Sequence, residues 1–327
     1  MPSTDGTVSH ALAAIRAGRK ISRLAALRLA KAPLADLMRG ADALRRERFG
    51  DRVSLCAIVN ARAGLCAEDC AFCAQSTRHA ARTPVHPMRS AKTLLEAARK
   101  ARGMGAFRFG IVTSGRAAGR EDAARVRGAV RAIRHNGPVS PCASLGALRE
   151  EDARALRAAG LARYHHNLET SARFFPSICA THLWEDRVRT VRTAKRAGLE
   201  VCAGGIFGLG ETWEDRVDLA LALRELGVES VPVNFLMPVE GTPLEKRRPL
   251  RPPEALRIIA LFRFVLPRAE IRVAGGRELA LGQAQERIFA AGANGMMVGD
   301  YLTTRGRGIG DDRRMLERLG LEVERAV

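Results

Sequence analysis

Apolar and polar positions follow two rhythms along this chain. Short runs rich in strand-forming residues recur at 54–60, 107–113, 139–144, 163–167, 200–207, 230–236, 270–273 and 295–298, and they read as eight strands. Between them lie longer stretches with apolar residues every three or four positions, notably 91–104, 123–134, 150–159, 184–197 and 213–226, a spacing that predicts amphipathic helices. Four of these stop at Gly105, Gly160, Gly198 and Gly227, where the left-handed turn that ends a helix is easiest for a residue without Cβ. Strand and helix in alternation is the pattern of a parallel sheet with helices outside it, and eight repeats predict a closed (β/α)8 TIM-type barrel. The Ala-, Leu- and Arg-rich stretch at the start carries no strand signal. An N-terminal helical extension over 1–52 is therefore expected before a barrel with a C-terminal cap over 53–327.

Composition narrows the class. With 327 residues and 46% hydrophobic content the chain can bury a large core. It has no apolar run of roughly eighteen residues and no charged-then-apolar order at its N-terminus, so a cytoplasmic protein with no membrane partner is expected. The formal charge of +19 would suit nucleic acid if it were clustered. It is spread instead, as in Ala98-Arg99-Lys100-Ala101-Arg102, and reads as solvated helix faces with no nucleic-acid partner. Seven cysteines, an odd number with three in one short stretch, fit metal ligation in a reducing compartment better than a disulfide framework.

That stretch is Cys66-Ala-Glu-Asp-Cys70-Ala-Phe72-Cys73. Three thiolates leave a four-iron cluster one ligand short, so one iron stays open to another molecule. A structural zinc site usually takes four protein ligands in paired units, and no second half follows here. In a barrel the chemistry gathers at the C-terminal ends of the strands. The cysteines follow the first strand, Asn167 and Glu169 close the fourth, 204–211 follows the fifth, and Asn234 ends the sixth. Asn167 and Glu169 alternate along an extended chain and so project to one side; without other information they read as a strand end and a helix cap. His165 and His166 are adjacent and cannot both readily face the interior, and a core or surface role is expected for each. The glycine-rich run 202–212 lets backbone approach a ligand and leaves amides free to bond it. It lacks the Gly-Lys-Ser/Thr ending of a P-loop.

The cysteine spacing with Phe72 resembles the radical S-adenosylmethionine superfamily, and further segments narrow the resemblance to the biotin synthases. These are Gly64-Leu-Cys-Ala-Glu-Asp-Cys-Ala-Phe-Cys-Ala-Gln-Ser76, His166-Asn-Leu-Glu-Thr170, Val201-Cys-Ala-Gly-Gly-Ile206, Val231-Pro-Val-Asn234, Gly241-Thr-Pro-Leu244, Ile271-Arg-Val-Ala-Gly-Gly-Arg-Glu278 and Ala291-Gly-Ala-Asn294. The resemblance implies sulfur insertion into dethiobiotin to give biotin. It implies a [4Fe–4S] cluster on Cys66, Cys70 and Cys73 that cleaves S-adenosylmethionine to a 5′-deoxyadenosyl radical, and an auxiliary iron–sulfur cluster deep in the barrel that donates the sulfur. By the same resemblance Phe72, Gly204, Gly205, Ile206 and Glu211 lie against the cofactor, and Arg187 meets its carboxylate. Asn167 and Glu169 serve catalysis and bind cofactor and substrate, and Asn234 meets the ureido ring of dethiobiotin. A flavodoxin or ferredoxin donor and a homodimer are implied as well. Another enzyme of the superfamily with similar build, such as a hydrogenase-cofactor maturase or a carbon-skeleton mutase, would share the three cysteines but need no sulfur-donating cluster.

The chain departs from the family pattern at the auxiliary site. The resemblance implies a [2Fe–2S] cluster on three cysteines and one arginine, matched here by Cys142, Cys202 and Arg272, with Arg108 standing where the second-strand cysteine is expected. Cys56 and Cys179 are additional. Four thiolates suffice for a larger four-iron cluster, so a variant held by Cys56, Cys142, Cys179 and Cys202 is expected.

Overall fold

A computed structural model describes residues 5–137 and 139–324, so the first four residues of the 1–52 extension and the last three of the 53–327 segment lie outside the described residues. Ten strands follow in chain order: β1 (Arg52–Arg62), β2 (Arg108–Thr113), β3 (Ser140–Ser144), β4 (Arg163–His165), β5 (Glu200–Cys202), β6 (Gly205–Phe207), β7 (Ser230–Phe235), β8 (Glu270–Val273), β9 (Gly295–Met297) and β10 (Glu322–Val323). Neighbours β1, β2, β3, β4, β5, β7, β8 and β9 pair in parallel, and β9 pairs back onto β1. β6 continues the pairing with β7 that β5 begins, so the two are one interrupted strand and the ring has eight members. β10 adds beside the start of β1. This is the expected closed parallel barrel.

Strand alternation sorts each side chain to one of two layers. On β2, Phe109 and Ile111 are buried, while Gly110 and Val112 line the barrel interior. The helices Ala91–Gly103, Arg120–Asn136, Glu150–Ala158, Trp184–Arg196 and Trp213–Glu225 fall within a few residues of expectation. The glycines after four of them have φ between +61° and +95°.

Three features depart from the sequence pattern. The fourth strand stops at His165 rather than 167, and the fifth breaks after Cys202. The helix Pro252–Val265 is absent from the amphipathic stretches because it has no polar face. Leu256, Ile258, Ile259, Leu261, Phe262 and Phe264 are all fully buried, since it lies between the barrel and the N-terminal helices α1 (Asp5–Arg16), α2 (Arg23–Leu29) and α3 (Leu34–Phe49). Finally, the arginines are not all solvated helix faces. Arg45, Arg263 and Arg277 are among the largest fully buried side chains, each held by carbonyls or a carboxylate.

Candidate active site

The loop leaving β1 is shaped mainly by its own backbone. Cys66 N–H donates to the Gln75 carbonyl (3.0 Å), Thr77 N–H to that of Cys66 (2.8 Å) and Cys73 N–H to that of Cys70 (2.9 Å). Gly64 N–H is held by the Gln75 side chain at 2.9 Å. Gly241 lies over this loop with φ +78°, and a Cβ there would come 2.5 Å from the Ala81 nitrogen, so the contact admits only glycine. The three thiols line a cavity of about 350 Å³ at the C-terminal mouth of the barrel, together with Phe72 and Arg187.

Asn167 and Glu169 line the same cavity, but not through extended alternation. Glu169 has φ +68°, and the chain turns there. The turn still brings the pair together: Asn167 Nδ2 donates to Glu169 Oε2 at 3.2 Å. Burial pushes the Glu169 carboxyl up against the opposing pull of Arg187, which approaches at 3.4 Å and also donates to the Asn167 carbonyl at 3.0 Å.

The glycine-rich loop behaves differently from expectation. Its amides are not free: Gly204 N–H donates to Asn167 Oδ1 (3.1 Å) and Ile206 N–H to the Glu169 carbonyl (2.9 Å). Gly204 is required because a Cβ would come 2.0 Å from the Pro232 carbonyl oxygen. Glu211 accepts from Gly208 N–H (3.0 Å), Gly210 N–H (3.1 Å) and Arg216 (2.8 Å), so it shapes the loop rather than lining either cavity. Of Gly204, Gly205, Ile206 and Glu211, only Ile206 lines a cavity. The run therefore holds Asn167 and Glu169 in place.

A second cavity of about 380 Å³ extends down the barrel and shares Phe72, Cys73, His165, Asn167 and Glu169 with the first. Cys56, Cys142, Cys202 and Arg272 line it, from β1, β3, β5 and β8. Burial pushes the Cys56 thiol up to about 12, with Arg272 opposing. Burial raises the Cys142 thiol too, against Arg108 and Arg163. At Cys202 burial is overruled by His165, Arg272 and Arg163, which bring the thiol down to about 7. Arg272 Nε is buried with no partner among the described residues, although Nη2 pairs with Glu270. A buried guanidinium nitrogen left open beside three thiols fits an iron–sulfur group. Asn234 also lines this cavity, donating to the Gly205 carbonyl (3.1 Å) and accepting from Gly275 N–H (3.0 Å).

Two expectations for this lower site fail. Cys179 is not there. It sits beside the cysteine loop, 3.9 Å from Cys70 Sγ, because Ala71 N–H bonds the Ile178 carbonyl (2.8 Å) and Asp69 accepts from Ala180 N–H (3.0 Å). Nor does Arg108 take the place of the second-strand cysteine. Its guanidinium bonds Ser140 (3.3 Å) and Glu200 (3.0 Å), and the β2 residue that pairs with Cys142 and lines the cavity is Gly110.

Residues 63–223 match the Radical SAM superfamily, and 232–322 match the Biotin and Thiamin Synthesis associated domain. A biotin synthase of Trichlorobacter lovleyi is 50% identical over 324 residues, covering 98% of this chain and 97% of its own. Those of Nitratidesulfovibrio vulgaris (Miyazaki F) and Syntrophotalea carbinolica are 51% and 52% identical over 91% and 90% of this chain, and over 84% and 90% of their own. The chain belongs to the biotin synthase family. Crystal structures of methylornithine synthase (TM-score 0.83, 20% identity, 97% of this chain and 98% of that one) and of HydG, a maturase of the [FeFe]-hydrogenase (0.84, 16%, 99% and 77%), share its fold.

Within this biotin synthase fold, His165 departs from the core or surface role expected of it. It lines both cavities, and its register partner is Cys202. Parity points to it, since His165 and Asn167 occupy alternate positions and Asn167 is the candidate site residue of the pair. No described helix is long and apolar enough to cross a membrane.

Proposed function

We propose that the two stacked cavities divide the work of a sulfur-inserting radical S-adenosylmethionine enzyme, and that the lower one holds an auxiliary iron–sulfur cluster on Cys56, Cys142, Cys202 and Arg272. The chain is a biotin synthase, converting dethiobiotin to biotin with S-adenosylmethionine. When bound, the [4Fe–4S] group supplies the electron that cleaves S-adenosylmethionine, and the auxiliary group supplies the sulfur. The observation that carries this division is the shared wall, where Asn167 and Glu169 face both chambers.

The chain's own residues do the positioning. Cys66, Cys70 and Cys73 would hold the upper cluster, and Phe72 and Ile206 give the nearby apolar walls. Arg187, already beside Glu169, is set to meet the carboxylate of S-adenosylmethionine. Asn167 and Glu169 orient ribose and substrate across the wall, and Asn234 offers its remaining amide valences to the ureido ring. Gly204, Gly205 and Glu211 act through the loop they shape. In the lower site the thiolate count of the family's Cys3Arg set is kept, with one thiolate moved from β2 to β1.

Family resemblance supports a flavodoxin or ferredoxin donor, a homodimer and a cytoplasmic location, with 1–52 as a helical extension to the catalytic unit 53–327. Anaerobic Mössbauer spectroscopy with iron and sulfide counting, on wild type and on the Cys66/Cys70/Cys73 triple alanine variant, tests the two-site reading. A second iron–sulfur signal should survive in the variant and disappear when Cys142 is also replaced. Absence of any surviving signal would overturn the lower site.

A further inference from the structure

Cys70, Cys179 and His182 form a cluster of side chains able to ligate a metal, and it shares one residue with the cysteine loop. Their ligand atoms all lie within 4.8 Å of one another. The Cys70 and Cys179 sulfurs are 3.9 Å apart, and Cys179 Sγ is 3.2 Å from Nδ1 and 3.9 Å from Nε2 of His182. Around a tetrahedral cation with metal–sulfur bonds of about 2.3 Å and metal–nitrogen bonds of about 2.0 Å, two sulfurs stand roughly 3.8 Å apart and sulfur and nitrogen roughly 3.5 Å. The side chains already stand near that spacing without an ion.

The surroundings suit such a site. Two segments distant in sequence are pinned together on both sides of Cys179, by Ala71 N–H to the Ile178 carbonyl (2.8 Å) and by Ala180 and Thr181 N–H to Asp69 Oδ1 (3.0 and 3.2 Å). Glu68 accepts from His182 Nδ1, which leaves Nε2 as the ligand atom and supplies the carboxylate that commonly backs a ligating imidazole. Arg187 Nε donates to Nε2 at 3.1 Å, and this is the bond an ion would displace; Arg187 keeps its bond to the Asn167 carbonyl. Neither Cys179 nor His182 has a part in sulfur insertion as argued above.

We propose that the cluster-free protein binds one thiophilic divalent cation, Zn(II) or Fe(II), through Cys70, Cys179 and His182, and that this ion and the [4Fe–4S] cluster exclude each other because both require Cys70. Water completes the coordination. Binding displaces to solvent whatever protons the two sulfurs carry and moves no electron. The exclusion rests on the assignment of Cys70 to the cluster, whereas the ion site stands without it.

The test begins with Co(II) alone, titrated anaerobically into full-length cluster-free protein. Cys179→Ala and His182→Ala should each bind one equivalent fewer than wild type and lose a tetrahedral, thiolate-to-cobalt absorption component. Cys66→Ala should keep that component. In the second arm, one equivalent of Zn(II) given before iron and sulfide should slow wild-type cluster assembly at least tenfold and leave assembly in Cys179→Ala unslowed. Circular dichroism checks each fold, and Cys179→Ser or His182→Gln replaces any variant that fails to fold. Equal cobalt stoichiometry in wild type and the Cys179 and His182 variants overturns the site. So does loss in Cys66→Ala with retention in Cys179→Ala. Unslowed assembly in zinc-loaded wild type overturns the exclusion alone.

Discussion

At the scale of single residues, the lower site turns on which strand offers a thiol. Cys56 on β1 and Gly110 on β2 both line the cavity near Cys142, and a Cβ at Gly110 would come 3.1 Å from Ile58 Cγ2, a contact a side-chain shift can relieve. Cys56→Ser should therefore lose the auxiliary iron–sulfur signal, and adding Gly110→Cys should restore it by returning the thiolate to the second strand. Mössbauer spectra of the single and double variants decide this, and an intact signal in Cys56→Ser removes Cys56 from the ligand set. Tyr164 makes a separate prediction about support. Its buried hydroxyl donates to the Gly146 carbonyl (2.7 Å) and accepts from Leu145 N–H (3.2 Å), beside the upper cavity. Tyr164→Phe strands both groups and should cost roughly 1–3 kcal/mol in urea unfolding. The three loop cysteines were legible because their spacing is contiguous in sequence. Cys179 was not, because only long-range bonds from Ala71 and Asp69 to the segment around it carry it to Cys70 rather than to the barrel axis.

Among elements, legibility follows local apolar spacing and caps rather than amphipathicity alone. The helix Trp213–Glu225 is read from its apolar spacing although it buries Asp215 and Arg216 beside its apolar residues, and its start is fixed by a reciprocal cap: Thr212 Oγ1 accepts from Asp215 N–H (3.4 Å), and Asp215 accepts from Thr212 N–H (2.8 Å). Asp215 also accepts from Ser171 (2.6 Å) and Arg173 (2.7 Å), tying the helix to the segment just after Glu169. Asp215→Ala removes the cap and strands Ser171, so it should cost roughly 2–4 kcal/mol in chemical denaturation. Its pH dependence has a definite sign. Burial pushes the Asp215 carboxyl up, but Ser171, Thr212 and Arg173 prevail and hold it below the ordinary range. The unfolded chain thus takes up a proton first as pH falls. The contribution is complete above about pH 4 and is lost as pH drops through the lowered value. Asp215→Asn should flatten that limb of the stability–pH curve, and an unchanged limb would show that another carboxylate governs it. The break between β5 and β6 had no comparable signal, since its cause is the close approach of Gly204 to the Pro232 carbonyl, a contact between strands.

Over the whole molecule, the eightfold rhythm carried the barrel, and the charge count misled only about where arginine goes. Arg263 shows why. It is fully buried and pairs with no carboxylate among the described residues; Nε donates to the Gly292 carbonyl (2.8 Å), Nη1 to those of Pro267 (3.1 Å) and Ala269 (2.8 Å), and Nη2 to Asn294 Oδ1 (2.7 Å). Its guanidinium also lies 4.9 Å from the ring centroid of Phe49 at the end of α3. One side chain therefore joins the helix Pro252–Val265, the turn into β8, the approach to β9 and the N-terminal helices. Sequence pattern records none of this, because all but one of the acceptors are backbone carbonyls. Residues from Val8 to Leu316 share one continuous apolar core that spans both α1–α3 and the barrel, so these should unfold together. Arg263→Met preserves bulk but strands several buried acceptors, and a loss of about 3 kcal/mol or more is expected. The transition should move to lower denaturant as one step, with far-ultraviolet circular dichroism and the fluorescence of Trp184 and Trp213 coincident. If the two probes separate in the variant, Arg263 is the fastener between two units rather than part of one cooperative core.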